Sequence, residues 1–429
     1  MENKMINKNK IKKGGTATLI KIAYRNIWRN MRRTLFCFTA VGIAVFFIVV
    51  YSSMIDGMTK CIFDTVKIYE LGHVRVVSKQ YEAESEYLPV QYPVADGKSW
   101  KSIASDIYKI PGVRAVLPRI TTMATLQDST VKHAVLWGID IKSEIAANNL
   151  NLTDRDDGLV EGRWPNPGAN EIAVGRVFAE KSGLTAGDRL MFKTISAQFS
   201  EKFLRPQVVG VFNFDYIKID ERYLIMDIER LQSLLVLGEG TQSLVIFADD
   251  DSMAGGIASR VQNLLGSGNI VTEWRDNYWV AVMDMVGPIY NTVFLVFLIV
   301  ASFLIINTVV MIIHERIKEI GMMGCLGMTR AEIVTVFFFE SIFMAAFGAL
   351  AGVVVGGSIV AVMAGSPVRF MEYFGNTFAD MPMSNAIFFE FKPIVLLRAW
   401  LMGVVVASVF TLIPSLKSAF VEPVEALRR

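Results

Sequence analysis

Residues 35–55 read LFCFTAVGIAVFFIVVYSSMI, a run without a single charge. A bilayer core is crossed by roughly 20 apolar residues in helical form, so this run predicts a transmembrane helix over 34–55. A cleaved signal peptide would have a shorter apolar core and an exit rich in small residues. Here the exit is Tyr51, Ser52, Ser53 and Met54, which favours a retained anchor.

Three further runs have the same character, at 285–313, 333–364 and 394–416. They are interrupted only by Glu340, two turns from the cytoplasmic start of the third span, and Arg398, near the start of the fourth. The sequence therefore predicts a membrane protein with four transmembrane helices. Lysine and arginine collect on the cytoplasmic side of such proteins. Lys4, Lys8, Lys10, Lys12, Lys13, Lys21, Arg25, Arg29, Arg32 and Arg33 precede the first span, Arg316, Lys318 and Arg330 lie between spans two and three, and Lys417, Arg428 and Arg429 follow span four. All three segments agree on cytoplasmic termini. The large block 56–284 and the short loop 365–393 then fall outside the cytoplasm.

Composition is consistent with lipid as part of the solvent: 52% of the 429 residues are hydrophobic and 20% are charged, below the quarter or so of ordinary soluble domains. The net charge of +2 selects no polyanionic partner such as nucleic acid. Cys37, Cys61 and Cys325, with His73, His133 and His314, are scattered and give no metal spacing. With this topology only Cys61 lies outside, so no disulfide forms within the chain there.

Between the first two spans, β-rich runs at His73–Ser78, Arg205–Phe212, Arg222–Asp227 and Ser243–Phe247 alternate with helical patterns at Ser99–Ile110, Val177–Ser182, Ile228–Leu235 and Ser252–Leu265. This predicts a large α+β extracytoplasmic domain with an inserted β-rich lobe over about 135–230. The block carries no phosphate-binding glycine loop and no nucleophile elbow. Its acidic run Asp249-Asp250-Asp251 reads as a solvated turn.

The cytoplasmic segments carry more information. After a charged tail over 1–18, the stretch 19–33 places Ile20, Tyr24, Ile27 and Met31 on one helical face, with Lys21, Arg25, Arg29 and Arg32 elsewhere. This predicts an interfacial amphipathic helix. In the loop 314–332, the helix of span two continues through Glu319. Gly321, Gly324 and Gly327 then break the chain, and Thr329 with Glu332 forms a capping box that starts the next helix. The short element between exposes Met322, Met323, Leu326 and Met328, a surface suited to a partner that slides. Gly348, Gly352 and Gly356 in span three, and Gly403, Ala407 and Thr411 in span four, are small residues spaced for close helix packing, here expected between those two spans. Glu340 is a functional candidate because it is ionisable within a span. Residues 417–429 form a cytoplasmic tail in which Pro423 suits a first helical turn.

Together, Glu315-Arg316-x-x-Glu319-Ile320-Gly321, Gly327-Met328 and Ile333, Glu340-Ser341, the Gly348/Gly352/Gly356 span and the ending Pro423-x-Glu425-Ala426-Leu427-Arg428 resemble the FtsX-like ABC transporter permease family. The opening Ala23-x-Arg25-Asn26-x-x-Arg29-Asn30-x-x-Arg33-Thr34 is similar to that family's as well. In the outside block, Gly138-Ile139-Asp140, Glu161-Gly162-Arg163, Asn170-Glu171-Ile172-x-x-Gly175 and Gly183-Leu184-x-x-Gly187-Asp188 resemble the lipoprotein-releasing (LolC/LolE-type) branch.

The resemblance implies a type VII ABC permease of the bacterial inner membrane with its large domain in the periplasm. It implies a cytoplasmic ATPase dimer holding ATP and Mg, a second permease, identical or paralogous, and no cofactor or enzymatic site in this chain. Glu315, Arg316, Glu319, Ile320, Gly321, Met323, Leu326, Gly327 and Met328 would form the element seated on the ATPase. Lipoprotein extraction, with a periplasmic carrier, predicts lipid or cargo contacts at Val49, Met54, Met285, Ile289 and Val293. The alternatives are export of a peptide or amphiphile through a periplasmic adaptor, and a scaffold that activates a cell-wall hydrolase. The size of the outside block weighs against the last.

Overall fold

The computed structural model describes residues 2–29, 31–127, 130–148, 158–315, 321–323, 325, 328–366, 381–382, 384 and 388–418. In chain order the helices are α1 (Glu2–Arg29), α2 (Met31–Thr65), α3 (Lys79–Ala83), α4 (Trp100–Ile107), α5 (Ile141–Asn148), α6 (Arg176–Ser182), α7 (Ile217–Arg222), α8 (Ile228–Leu235), α9 (Ala254–Leu265), α10 (Tyr278–Glu315), α11 (Arg330–Ala364) and α12 (Pro393–Ser418). The strands are β1 (Val74–Ser78), β2 (Val113–Leu126), β3 (His133–Ile139), β4 (Leu159–Gly162), β5 (Glu171–Gly175), β6 (Phe192–Ile195), β7 (Glu201–Leu204), β8 (Gln207–Phe212), β9 (Tyr223–Asp227), β10 (Ser243–Ala248) and β11 (Asn269–Glu273). They belong to two compact units. A helical unit holds 1–57, 285–367 and 388–429, and a head unit holds 58–284 and 368–387.

In the helical unit, apolar composition drives the long helices and small residues let them approach. Among the described residues, the stretches Thr34–Leu71, Arg330–Ala364 and Pro393–Leu412 are long and apolar enough to cross a bilayer. The helix α10 is 38 residues long, and its side chains Met285, Ile289, Leu295 and Phe303 are exposed. The helix α2 does not stop at Asp56. It runs to Thr65 and continues as a π-helical stretch, Val66–Leu71, which ends at Gly72 with φ +65°. Buried Ile62 and Val66 keep an apolar face past the membrane-length run, so nothing in the sequence there ends the helix.

The head unit is built on one sheet of 11 strands, ordered β11-β1-β10-β2-β3-β9-β5-β8-β4, with β6 and β7 attached through β2. Pairing is antiparallel except between β3 and β9 and between β5 and β8. The first and last stretches of the block meet here, since β1 lies between β10 and β11. The inserted strands extend the same sheet instead of forming a separate one. The 14-residue strand β2 makes this possible: its first half pairs with β10 and its second half with β3. Pro118, which has no N–H to give, sits in the half that pairs only with β10.

Local chemistry sets the head helices. Asp227 caps α8 by accepting from the N–H groups of Glu229 and Arg230 at 3.2 and 3.4 Å, and α8 buries Ile228, Leu231, Leu234 and Leu235 on one face. The helix α4 buries Ile103, Ala104 and Ile107, and α9 buries Ala254, Ile257 and Val261. These pack with Val74, Val76, Leu244 and Ile246 in one apolar cluster. A second cluster, around Leu136, Ile172, Val174, Phe178, Phe192 and Leu231, fills the inserted part.

Candidate functional site

The first element of the site is a junction in the head unit, at the end of the π-helical stretch. Helix ends leave carbonyl groups without intrahelical donors. Here a buried guanidinium supplies them. Arg119 Nη2 donates to Ile68 O at 2.7 Å and Nη1 to Tyr69 O at 3.1 Å. The same guanidinium forms a two-point ion pair with Glu144 of α5, at 2.6 and 2.9 Å, and lies over the Trp137 ring. Arg119 is 3% exposed and Glu144 fully buried, so the pair is shielded from solvent.

One residue on, Glu70 gathers three elements. Its Oε1 accepts from Tyr216 Oη at 3.1 Å and from Lys218 Nζ at 3.2 Å, on and beside α7. Its Oε2 accepts from Asn277 Nδ2 at 3.2 Å. Asn277 also accepts from the Trp279 N–H through Oδ1 at 2.8 Å, at the start of α10. One carboxylate therefore ties the far end of the first long helix to the near end of the second and to the inserted part of the sheet.

On the other flank, Lys67 donates to both oxygens of Asp251, at 3.2 and 3.0 Å, and His73 Nε2 lies 3.0 Å from the same carboxylate. Burial holds the His73 imidazole below its ordinary pKa, against the pull of Asp251. The acidic run is thus not merely a solvated turn. Asp250 caps the following turn through Ser252, while Asp251 is a bonded member of this junction.

The second element is the packing of the helical unit. A Cβ on Gly352 would overlap the Gly42 carbonyl oxygen, and one on Gly348 would meet Phe38 O at 2.8 Å. A Cβ on Gly356 would lie 3.2 Å from Val49 Cβ, and one on Gly42 would lie 3.1 Å from Gly348 O. The glycine stripe of α11 therefore seats α2, not the fourth expected span. That span, α12, uses another face. Trp400 Nε1 donates to Ala346 O at 3.1 Å, Gly357 meets Leu396, and Gly403 meets both Ala349 and Val45. Ala407 and Thr411 are each 1% exposed. Gly42 was not singled out from sequence: a lone glycine in an apolar run carries no spacing signal.

At the base of the same unit, Ala23 and Ile27 of α1 are buried, whereas Tyr24 is 43% exposed and sets its ring edge on Phe343. The apolar face predicted to lie in lipid is therefore turned partly onto α11, where Ile27 packs with Cys37 and Met344. Asn26 Nδ2 donates to Glu340 Oε2 at 3.5 Å, and Glu340 is 4% exposed. Glu340 is turned inward toward α1.

The predicted coupling segment is described in part. Glu315 is the last residue of α10. Arg316, Glu319, Ile320, Leu326 and Gly327 lie outside the described residues. Gly321, Met322 and Met323 are helical, and Met328 N donates to Met323 O at 3.1 Å. Met322 is 54% exposed, and Met323 and Met328 are half-buried. The capping box is present: Thr329 N donates to Glu332 Oε2 at 2.8 Å, and Glu332 N to Thr329 Oγ1 at 3.3 Å.

Of the predicted lipid-facing residues, Met285, Ile289 and Val293 are exposed, at 75, 58 and 37%, and Met54 is half-buried. Val49 is the exception. It has no exposed surface because it packs onto Gly356, so it offers nothing to lipid or cargo.

Helices apolar and long enough to cross a bilayer, together with a folded α+β head, define a membrane protein with a large extramembrane domain. Residues 34–264 match the model of the MacB-like periplasmic core domain, and residues 291–423 match that of the FtsX-like permease C-terminal. The chain belongs to this family, the ABC transporter permeases with a MacB-like periplasmic core.

Among its relatives, the chain is 22% identical over 348 residues to the lipoprotein-releasing system transmembrane protein LolC of Xylella fastidiosa, covering 77% of this chain and 81% of that protein. It is 25% identical over 356 residues to the uncharacterized ABC transporter permease YknZ of Bacillus subtilis, covering 72 and 81%. The crystal structure of the periplasmic region of MacB from Actinobacillus actinomycetemcomitans aligns with 48% of this chain and 94% of that one, at 12% identity and a TM-score of 0.32.

Proposed function

We propose that this chain is the mechanical half of its transporter: four spans turn ATP hydrolysis in a cytoplasmic ATPase dimer into motion of the periplasmic head, and a second permease completes the pair. The observation that carries the proposal is the Glu70 junction. A carboxylate bonded to both Asn277 and the Tyr216/Lys218 segment ties the end of the π-helical stretch and the start of α10 to the inserted part of the sheet within the head unit, which supports this reading. ATP and Mg belong to the partner, and the chain itself catalyses nothing. The ATPase would seat on 315–328, where Met322 presents an exposed apolar side chain.

For cargo, we propose lipoprotein drawn from the outer leaflet of the inner membrane. The motifs of the inserted lobe and the similarity to LolC support this. Exposed Met285, Ile289 and Val293 on α10 would meet the acyl chains. A second reading, export of a peptide or amphiphile through an adaptor, is favoured by the match of 34–264 to the MacB-like core.

The test is reconstitution of the chain with its co-purifying ATPase in liposomes that carry an acylated lipoprotein. The expected result is ATP-dependent release of the lipoprotein into the soluble fraction. Movement of a soluble peptide or amphiphile alone would select the second reading. Stimulation of a cell-wall hydrolase without any cargo movement would overturn both.

A further inference from the structure

In the helical unit, α1, the start of α2 and the middle of α11 leave a groove of about 300 Å³ between them. Its walls are Ile27, Trp28, Leu35, Phe38, Met344 and Phe347, together with the aliphatic side of Thr34. The Thr34 hydroxyl is turned away from the groove's needs, since it donates to Ile27 O at 3.0 Å. The groove is open: Trp28 and Leu35 are each 59% exposed and Phe347 43%.

Basic residues precede the groove along α1. Lys21, Arg25 and Trp28 fall on one face of α1, at spacings of four and three, and Lys21 and Arg25 are both exposed. From residue 16 to residue 33 there is no acidic residue. The nearby carboxylate, Glu340, is buried and faces Asn26, on a different side of the helix. Trp side chains favour the boundary between headgroups and acyl chains, and long basic side chains reach toward headgroup charge.

We propose that this groove is a binding site for one anionic phospholipid, its acyl chain lying along Trp28, Leu35, Phe38 and Phe347 and its headgroup held by Lys21 and Arg25. The inference rests on the membrane reading of α1 and α2 given above and adds a specific ligand to it. Charge complementarity commits the site to an anionic lipid, since a zwitterionic headgroup leaves both cations without a net countercharge. The bound lipid fills the space beside the α1–α11 contact. It thereby fixes α1, whose Ile27 and Asn26 contact α11, in place.

The experiment uses the full-length chain purified in detergent, exchanged into equimolar phosphatidylglycerol and phosphatidylcholine, and analysed for retained lipid by native mass spectrometry. The expected result is one retained phosphatidylglycerol per chain, preferred by roughly fivefold per basic side chain. Lys21→Gln with Arg25→Gln should bring the two lipids to parity. Leu35→Trp, which fills the groove and keeps the charges, should abolish retention of either. These positions are exposed, and an unchanged helical circular-dichroism signal checks that the variants fold.

Equal retention of the two lipids by the natural chain would overturn the proposal. So would a preference that survives loss of both charges, or one that survives filling of the groove. No ATPase or cargo is present in this assay, so its failure leaves the transport reading standing, and failed cargo release leaves the lipid site standing.

Discussion

Asp220 is fully buried in the head unit, accepts from the Phe214 N–H at 2.8 Å through Oδ1, and has no partner for Oδ2 among the described residues. Burial pushes its pKa up to about 8, so the folded protein holds a proton that the unfolded chain has lost above its ordinary value. The folded state therefore binds more protons between pH 4 and 8, and stability falls as pH rises through that window, by up to about 1.4 kcal/mol per pH unit. Thermal melts of the full chain at pH 5.5 and pH 8 should show this fall. Asp220→Asn, which keeps an acceptor for Phe214, should flatten it. Glu144 gives the opposite kind of test. Replacing it with leucine strands the buried Arg119 guanidinium, and breaking a buried ion pair from one side costs about 3–5 kcal/mol. A denaturation series on Glu144→Leu should show a loss of that order. Glu144→Leu with Arg119→Met together should recover part of it.

At the scale of elements, the Gly352 backbone is pressed against Gly42. A larger side chain there must push α2 from α11. Overpacking of this kind costs about 1–3 kcal/mol, so Gly352→Val should lower the melting temperature of the detergent-solubilised chain, whereas Gly365→Ala, which among the described residues meets only Val362 O at 3.8 Å, should not. The glycine stripe was legible because its spacing is local. Its partner was not, because helix pairing depends on which faces meet and a single sequence does not record that. The same division runs through the head. The helix over Ile228–Leu235 and the strand at Ser243 were readable from local caps and apolar runs. The strand β2 was harder to read, since its pairing changes partners partway along and Pro118 interrupts its donors. The junction escaped altogether. Glu70 reaches Tyr216 and Asn277, more than 140 positions away, through bonds that leave no spacing in sequence. One signal was available: Arg119 is a lone charge within the apolar run Val116-Leu117-Pro118-Arg119-Ile120, and such a charge demands a buried partner.

At the scale of the whole molecule, coupling and cargo movement should separate when the junction is loosened. Glu70→Gln keeps the side chain's size but removes the charge that Lys218 meets. In the reconstituted transporter it should leave ATP hydrolysis near its natural rate and lower cargo release roughly tenfold, the scale of one charge-assisted hydrogen bond. Equal losses of both activities would instead assign Glu70 to general stability.

The strand order of the head also bears on how the protein is made. The strand β1 is among the first parts of the head to be synthesised, yet both of its neighbours, β10 and β11, come from the last. Contacts so distant in sequence form slowly, and an unpaired strand exposed in the meantime invites wrong partners. The emerging chain must keep Val74–Ser78 unmated until nearly the entire block has been made. A chain interrupted within β2–β9 would thus hold β1 with neither of its neighbours, a sticky edge open to any other strand it meets.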